Sequence, residues 1–324
     1  MTFPTGWDGP KYFAAQLAPE PVRTDWSPPT GEPGIVQPHP LSFGDILGGV
    51  FRAVRYAPGT MFGLTLILTL VAQLLGMGVG YLLSQQYGVS LLPGDEADGD
   101  LAMLSWSWVA GTVATAFAEM VIGIGLTWAT FQAVRAKKAA PLAAARQIAA
   151  RFWPTVGLYA LPLLAGGAVI AAVAVLIAPL AAKDQPWVWI PVGIGGGFAA
   201  ACLAVRLLLA PCVIAIENRG PIAAIRRSWA LTRGQFWRIV GIYLATTILI
   251  SLATNMLSTV FLFVGSVITA ANAGIGATVM LSSSTITVAV FSLPLTSALV
   301  TLLYVDARFR TEAFDLELSE ELFG

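Results

Sequence analysis

Six long apolar runs dominate the sequence and constrain the fold more than any other feature. A helix needs roughly 20 mostly apolar residues to cross a bilayer, and each run meets that length. The runs are continuously apolar and lack the period-two alternation of barrel strands, so they predict helices. The runs cover residues 59–84, 104–134, 155–182, 188–216, 239–265 and 282–305.

The small share of charged residues supports the same class of protein. Only 11% of the 324 residues are charged, whereas soluble domains average about 25%. Too few charged side chains are present to cover a water-facing surface. The formal net charge is zero, which gives no bulk attraction to nucleic acid. The sequence therefore predicts an all-α integral membrane protein with no nucleic-acid partner.

The distribution of basic residues predicts which loops face the cytoplasm. Lys and Arg are concentrated before the first run, between the second and third, between the fourth and fifth, and after the sixth. The loops at 85–103, 183–187 and 266–281 contain a single Lys between them. Because Lys and Arg are retained on the cytoplasmic side, we expect a plasma-membrane protein with both termini in the cytoplasm.

Two terminal segments flank the apolar region. Residues 1–40 contain nine of the twenty prolines and lack periodic apolar residues, which predicts a disordered cytoplasmic tail. Residues 41–310 form the predicted six-helix transmembrane domain. Residues 311–324 form an acidic cytoplasmic tail in which Phe and Leu lie among carboxylates, a composition suited to contact with a protein partner.

Each cytoplasmic connection contains an amphipathic stretch. The stretches begin near Leu41, Pro141 and Pro221, and each places apolar residues on one helical face. Such helices lie in the headgroup plane with their arginines near anionic lipid; the alternative is that they pack on cytoplasmic loops of the same protein. The arginines predicted to contact lipid headgroups are Arg146, Arg151, Arg226, Arg227, Arg233 and Arg238.

The second and third connections also resemble each other in sequence. Residues 141–146 read Pro-Leu-Ala-Ala-Ala-Arg, and residues 221–226 read Pro-Ile-Ala-Ala-Ile-Arg. Further on, residues 152–159 (Phe-Trp-Pro-Thr-Val-Gly-Leu-Tyr) parallel residues 236–243 (Phe-Trp-Arg-Ile-Val-Gly-Ile-Tyr). The first connection is a weaker match. We therefore predict three repeats, each an interfacial amphipathic helix followed by a transmembrane hairpin.

A family resemblance rests on two stretches. Residues 227–238 read Arg-Ser-Trp-Ala-Leu-Thr-Arg-Gly-Gln-Phe-Trp-Arg, and residues 304–318 begin Tyr-Val-Asp-Ala-Arg-Phe-Arg. They make residues 40–318 similar to the membrane domain associated with glycerophosphoryl diester phosphodiesterases, in its actinobacterial form. Some relatives join this domain to a soluble barrel with metal-and-histidine chemistry. Since this chain has one histidine, His39, the resemblance implies a membrane protein without that activity.

Glycine recurs inside the apolar runs, for example as Gly76 and Gly80, as Gly166 and Gly167, and as four glycines within 193–197. In lipid, small residues let neighbouring helices approach closely. The 193–197 cluster superficially resembles a phosphate-binding loop, but it lies in an apolar run with no preceding strand. We therefore expect these glycines to mark helix–helix contacts.

Two ionisable residues lie deep within the apolar runs. Glu119 lies about 15 residues and Arg206 about 10 residues from the predicted cytoplasmic ends, a depth difference of roughly 7 Å. Long side chains can bridge that gap, so the pair is either an ion pair that fixes helix register or a proton or substrate site. Gln73 and Asn255 lie at depths similar to Glu119. They either complete a polar cluster with it or hydrogen-bond between helices.

Two functional hypotheses remain open. The apolar runs contain no histidine to activate a nucleophile and no metal-ligand spacing, so we expect neither an enzyme nor a cofactor. The first hypothesis is a non-enzymatic scaffold or accessory subunit of a cell-envelope assembly, with membrane lipids and a membrane or cytoplasmic protein as partners. The alternative is a transporter or lipid-handling protein whose pathway Glu119 and Arg206 line.

Overall fold

Helices account for nearly all of the structure. The computed structural model describes residues 34–36, 39–87, 99–181, 189–271 and 273–312, together with Phe314, Glu317, Leu318 and Glu320. Within these residues there is no strand. The helices are α1 (Phe43–Tyr56), a π-helical turn (Gly59–Gly63), α2 (Leu64–Tyr87), α3 (Gly99–Val134), α4 (Pro141–Ala181), α5 (Trp189–Leu207), α6 (Ala210–Glu217), α7 (Pro221–Thr232), α8 (Phe236–Ala271) and α9 (Ala273–Glu312).

Six helical segments of the described chain are long and apolar enough to cross a membrane. Each overlaps one of the six predicted runs, so the expected all-helical fold with six candidate spans is confirmed. The predicted proline-rich tail as far as residue 33 lies outside the described residues. The six segments are Gly59–Gln86, Trp106–Val134, Pro141–Val173, Gly193–Glu217, Phe236–Ile268 and Ser282–Glu312.

The helix α1 begins at a capping box and packs against the bundle. The Ser42 hydroxyl accepts a hydrogen bond from the Asp45 backbone N–H at 3.2 Å, and Asp45 Oδ2 accepts one from the Ser42 backbone N–H at 2.9 Å. These bonds satisfy N–H groups that a helix start leaves unpaired. Ile46 and Val50 are buried on the face that meets α9, whereas Phe51 is exposed. One side of α1 is therefore covered by the protein itself.

Two of the three transmembrane hairpins are closely packed. The helices α2 and α3 pack along their lengths, as do α8 and α9. Close approach depends on glycine: a Cβ at Gly80 would lie 2.4 Å from the Trp106 carbonyl oxygen, and one at Gly265 would lie 2.6 Å from Met280 Cα. The helix α9 also contacts α1, α2 and α3, so it is the centre of the packed region.

The middle hairpin, α4 and α5, is splayed. Within the described residues the two helices do not pack along each other, and α5 makes only limited contact with α7 and α8. A Cβ at Gly166, Gly167 or any glycine of 193–197 would meet nothing within 4 Å. The expectation that these glycines mark helix–helix contacts is therefore wrong, because α4 and α5 diverge where the glycines lie.

The fourth apolar run is broken into two helices at Leu208 and Leu209. Pro211 lies at the start of α6, where it lacks the N–H needed for an uninterrupted helix and its ring crowds the preceding turn. The Ser228 hydroxyl donates to the Arg206 carbonyl oxygen at 2.6 Å, which satisfies a backbone group near the break. The break separates the exposed α5 from α6, whose residues Ala210 and Cys212 are fully buried.

The second and third of the connections predicted to be cytoplasmic differ in the structure despite their similar sequences. In the third, α7 ends before Gly234, whose φ of +86° turns the chain before α8 begins. In the second, the predicted interfacial stretch and span form one continuous helix, α4. Six positions separate Arg146 from Phe152, but ten separate Arg226 from Phe236, so the second connection lacks the additional residues that make the turn.

Both ends of the described chain pack onto the core. Ile35 and Val36 are buried, and the Ile35 N–H donates to the Ala133 carbonyl oxygen at 3.3 Å. The packed region thus begins before the predicted tail boundary at residue 40. Phe314 stacks against Phe131, with ring centroids 6.2 Å apart, and Leu318 is also buried. These apolar residues of the acidic tail are covered by the protein; Leu316, Leu322 and Phe323 lie outside the described residues.

Candidate functional site

A cavity of about 940 Å³ lies beside the splayed hairpin. Its walls come from α3, α4, α5 and α9, with contributions from Pro211 of α6 and Tyr243 of α8. The cavity exists because α4 and α5 diverge while α3 and α9 remain packed. Along α3 it extends from Val113 to Thr127, a distance of about 21 Å at the helical rise. Its volume is at the upper end of the range for small-molecule sites.

Of the described residues that line this cavity, Glu119 alone is charged. Its side chain is half-buried, and it has no hydrogen bond or ion pair within the described residues. A carboxyl group in apolar surroundings is costly unless a partner compensates it. The sequence-based expectation that Glu119 lies in an intramembrane site therefore has a geometric basis in the cavity.

Arg206 does not line the cavity and does not contact Glu119. Its guanidinium carbon lies 5.1 Å from the ring centroid of Trp229 and 5.2 Å from that of Phe236. These are distances at which a cation is attracted to an aromatic face. Its Nη1 also donates to Thr232 Oγ1 at 3.4 Å. The side chain is thus held against α7, and the expected ion pair with Glu119 does not form in the structure.

Gln73 and Asn255 also lie apart from Glu119. Gln73 is 2% exposed, accepts a hydrogen bond from Thr115 Oγ1 at 2.7 Å, and donates to Ser282 Oγ at 3.5 Å. It therefore links α2 to α3 and α9, which is the interhelical role that was one of its two predicted alternatives. Asn255 is exposed and donates to the Ser251 carbonyl oxygen of its own helix at 2.7 Å. The structure brings neither residue to the cavity.

Six residues that carry hydroxyl groups line the cavity, and two of them, Thr155 and Thr296, donate to backbone carbonyls of their own helices. Thr127 and Ser297 are only 3% and 7% exposed, yet their hydroxyls have no hydrogen-bond partner within the described residues. Tyr159 and Tyr243 line the same cavity, and neither phenol has a hydrogen-bond partner in this part of the chain. The sequence did contain a signal, because the two tyrosines end the matching segments 152–159 and 236–243.

Two carboxylates, Glu217 (partly buried) and Asp306 (buried), fix the helices at one end of the bundle. Glu217 Oε1 accepts hydrogen bonds from the Tyr304 hydroxyl at 2.8 Å and from Arg227 Nε at 3.1 Å. Arg227 also pairs with Glu312. These contacts join α6, α7 and α9. We call the end of the bundle that holds Glu217 and Asp306 the ion-paired end.

Asp306 is the second carboxylate of the ion-paired end and is 1% exposed. Its Oδ1 accepts from the Leu41 backbone N–H at 2.9 Å and from Arg310 Nε at 3.1 Å, and its Oδ2 pairs with Arg238. Both arginines also donate to the Leu41 carbonyl oxygen. Asp306 therefore fastens the chain segment before α1 to α8 and α9.

Three of the six arginines predicted to contact lipid headgroups are engaged within the protein. Arg227 and Arg238 pair with the two carboxylates of the ion-paired end, and Arg151 donates to the side-chain oxygen of Asn218. The remaining three are exposed and have no ion-pair or hydrogen-bond partner among the described residues: Arg146, Arg226 and Arg233.

The second and third connections each contain an exposed tryptophan that packs edge-on against the preceding phenylalanine. The rings of Phe152 and Trp153 are 5.3 Å apart at 82°, and those of Phe236 and Trp237 are 5.3 Å apart at 83°. Trp153 and Trp237 are 77% and 76% exposed. Tryptophan is enriched at membrane–water interfaces, so these rings have the geometry and exposure of interfacial residues.

Six long apolar segments, with a cavity between them that is mostly apolar, define a multi-pass α-helical membrane protein. Residues 180–318 match the family model for the membrane domain of glycerophosphoryl diester phosphodiesterase. This match confirms, over those residues, the resemblance inferred from the two sequence stretches. It includes α5 to α9 but not α3, which carries Glu119. Comparison with curated proteins and with solved structures gave no match.

Proposed function

We propose that this protein is a non-enzymatic, lipid-handling membrane protein that binds a lipid in the cavity beside α4 and α5. The proposal rests on the cavity itself, which is about 940 Å³ in volume and almost entirely apolar in its lining. Ligand sites combine an apolar wall with a few polar groups that fix orientation. The cavity has this composition, with one carboxyl group and several hydroxyls among aliphatic side chains.

The shape of the cavity suits an extended apolar chain. Its length along α3, about 21 Å, is comparable with most of the roughly 30 Å thickness of a bilayer hydrocarbon core. Leu163 and Leu203 line it, and both are exposed rather than covered by neighbouring helices. A lipid chain in this position would cover apolar surface that the described residues leave open. Van der Waals contacts with the chain would take the place of the helix contacts that α4 and α5 do not make with each other.

The exposed basic residues favour contact with anionic headgroups at the inner membrane surface. Arg146, Arg226 and Arg233 have no partner in the described chain, and the exposed rings of Trp153 and Trp237 lie on the same connections. Each such basic residue near an anionic surface is worth about 1 kcal/mol. We extend the proposal to orientation: these connections and both termini face the cytoplasm, and the membrane is the plasma membrane.

A scaffold role is the second candidate, and one observation favours it. Gly166 and Gly167 of α4 and the four glycines within 193–197 of α5 face open space, and small residues of this kind let a partner's transmembrane helix approach closely. The acidic tail offers less support, because Phe314 and Leu318 are buried against the protein's own core. A protein partner would therefore bind along α4 and α5 in the membrane.

Filling the cavity tests the leading proposal. Ala204 lines the cavity on α5, whereas Ala201 is exposed on the same helix and does not line it. Protein bearing Ala204→Phe or Ala201→Phe would be purified from membranes in mild detergent and analysed by native mass spectrometry. We expect Ala204→Phe to lose co-purified lipid and Ala201→Phe to retain it. Ala200→Phe, which also enters the cavity, provides a second variant if the first folds poorly.

Two outcomes of this experiment would contradict lipid binding in the cavity. The first is equal lipid retention by both variants. The second is a stoichiometric protein partner that Ala201→Phe displaces, with no lipid bound in either case; this result would favour the scaffold.

For the headgroup contacts, the triple variant of Arg146, Arg226 and Arg233 to Gln should lose bound phosphatidylglycerol. Arg151→Gln serves as the control, because in the wild type Asn218 already binds the Arg151 side chain.

A further inference from the structure

We infer that the lipid held in the cavity has an uncharged polar end that carries hydroxyl or ester groups, and that Thr127, Tyr159, Tyr243 and Ser297 bind it. This inference rests on the proposed lipid-binding function and names the class of lipid. A diacylglycerol has the required chemistry, with one free hydroxyl, two ester carbonyls and long apolar chains.

Counted along their helices, these four residues lie at similar distances from the ion-paired end. Thr127 is seven residues from the end of α3 at Val134, and Tyr243 is seven residues from the start of α8 at Phe236. Both distances correspond to about 10 Å at the helical rise. Those helix termini adjoin the ion-paired end, since Arg238 on α8 pairs with Asp306.

The other two residues lie at a similar distance from that end. Tyr159 is eight residues beyond Arg151, and Ser297 is nine residues before Asp306, which gives about 12 to 13 Å from the ion-paired end. Four helices therefore each carry one of these residues at a similar distance from the ion-paired end. Glu119 lies eight residues beyond Thr127 on α3, about 12 Å further from that end.

Hydroxyls without partners at the cavity wall match a ligand that can form hydrogen bonds with them. Most buried side-chain polar groups in proteins have a hydrogen-bond partner, but the hydroxyls of Thr127 and Ser297 have none in the described chain even though both residues are more than nine-tenths buried. Hydroxyl groups both donate and accept. They match a ligand that offers a hydroxyl donor and carbonyl acceptors at the same place.

The distribution of charge argues against a charged headgroup. Among the described residues that line the cavity there is no Lys or Arg, so a phosphate would be buried beside them without a cation, which is costly. Arg206 cannot supply the charge, because its guanidinium is held between Trp229 and Phe236. An amine would have Glu119 as its partner, but it would leave the four hydroxyls unsatisfied. An uncharged headgroup satisfies the hydroxyls without burying an unpaired charge.

Binding of defined lipids tests the inference. The full chain would be reconstituted into phosphatidylcholine nanodiscs, and the affinities for dioleoylglycerol, phosphatidylglycerol and oleylamine would be compared. We expect preferential binding of dioleoylglycerol. Loss of one hydrogen bond corresponds to roughly a fivefold loss of affinity, so the double variant Tyr159→Phe/Tyr243→Phe should bind dioleoylglycerol roughly 25-fold more weakly. Tyr81→Phe makes the same chemical change at an exposed position of α2 outside the cavity and should bind like the wild type.

The possible failures are distinguishable. Preferential binding of phosphatidylglycerol or oleylamine that Ala204→Phe abolishes would overturn the uncharged-lipid inference and leave the proposed function standing. An unchanged affinity for dioleoylglycerol in the double tyrosine variant would overturn the assigned hydroxyl contacts. If Ala204→Phe leaves the binding of all three lipids unchanged, the proposed function itself fails.

Discussion

The hairpin of α2 and α3 and the hairpin of α4 and α5 both contain glycines within apolar helices, but only the first hairpin is packed by them. A Cβ at Gly76 would lie 2.7 Å from the Ala110 carbonyl oxygen and 2.8 Å from Ala114 Cβ, whereas one at Gly196 would meet nothing within 4 Å. In the first hairpin, small residues on the opposing helix receive the glycine. Glycine thus permits close packing but does not cause it, and a complementary partner surface is also needed.

This difference divides the molecule into a packed region and an open region. The packed region contains α1, α2, α3, α6, α8 and α9 and includes the fully partnered carboxylate of Asp306. The open region contains α4 and α5 and borders the cavity with the unpartnered carboxyl of Glu119. The first region provides a fixed wall, and the second provides the space in which we place the ligand.

The largest expected difference between the regions concerns these two carboxyl groups. Asp306→Ala removes the partner of two arginines and of a backbone N–H, so it should lower the free energy of unfolding by about 3 to 5 kcal/mol. Glu119→Gln removes a charge that has no partner and should change it by less than about 1 kcal/mol. Denaturation in mixed detergent micelles measures both values. Similar losses for the two variants would show that Glu119 is structurally partnered and would remove the contrast.

Glycine-to-alanine substitutions test the difference in packing between the packed region and the open region. Gly80→Ala would place a methyl group 2.4 Å from backbone atoms of α3, and overpacking of this kind costs about 1 to 3 kcal/mol. Gly196→Ala meets open space and should leave stability unchanged or raise it by up to about 1 kcal/mol, since alanine favours the helix. Thermal unfolding followed by size-exclusion chromatography ranks the two variants. A loss at Gly196 as large as that at Gly80 would reveal a partner packed on α5.

The smallest expected effect concerns the start of α1 in the packed region and depends on pH. Hydrogen bonds from the Ser42 hydroxyl and backbone N–H to the Asp45 carboxylate hold the pKa of Asp45 below its usual range. A carboxyl whose pKa is lowered on folding stabilises the protein above the unfolded-state pKa, and this contribution is lost as the pH falls through the folded-state pKa. Asp45→Asn should therefore lower the unfolding midpoint at pH 7 and have less effect at pH 3.

The Ser42→Ala background provides the control for this pH effect. Without the Ser42 hydroxyl, Asp45→Asn should cause a smaller change at pH 7 than it does in the wild type, because the bonds that involve the hydroxyl are already lost and only the bond from the residue-42 backbone N–H remains. An equal change in the two backgrounds would show that Asp45 acts independently of the cap.

Hydrophobic run length was sufficient to predict the six candidate spans, because a bilayer sets a fixed requirement for apolar length. It did not show which helices pack together. The Gly193–Gly197 cluster and the Gly76–Gly80 pair look alike in sequence, and the difference arises from residues on other helices, such as Ala110 and Ala114. Pairwise packing between distant segments is not encoded in the periodicity of either segment.

The candidate site was predicted in part. The cost of burying a carboxyl identified Glu119, and the structure places it in the cavity. Depth along the helices suggested that Arg206 was its partner, but depth does not give the direction of a side chain around the helix axis, and Arg206 points to Trp229 instead. The tyrosines were overlooked because hydroxyls are common in apolar helices; their equivalent positions in the matching segments were the available signal.

The break at Leu208 and Leu209 is the point at which the exposed helix α5 joins the packed core. The residues of α6 on one side of the break are locked in the core, while the exposed helix on the other side is 19 residues long, or about 28 Å. A rotation of about 10° at the break would move the far end of α5 by roughly 5 Å, a displacement close to the width of a hydrocarbon chain. The aperture of the cavity toward the bilayer can therefore change by the dimension of its proposed ligand while the ion pairs of Glu217 and Asp306 stay intact.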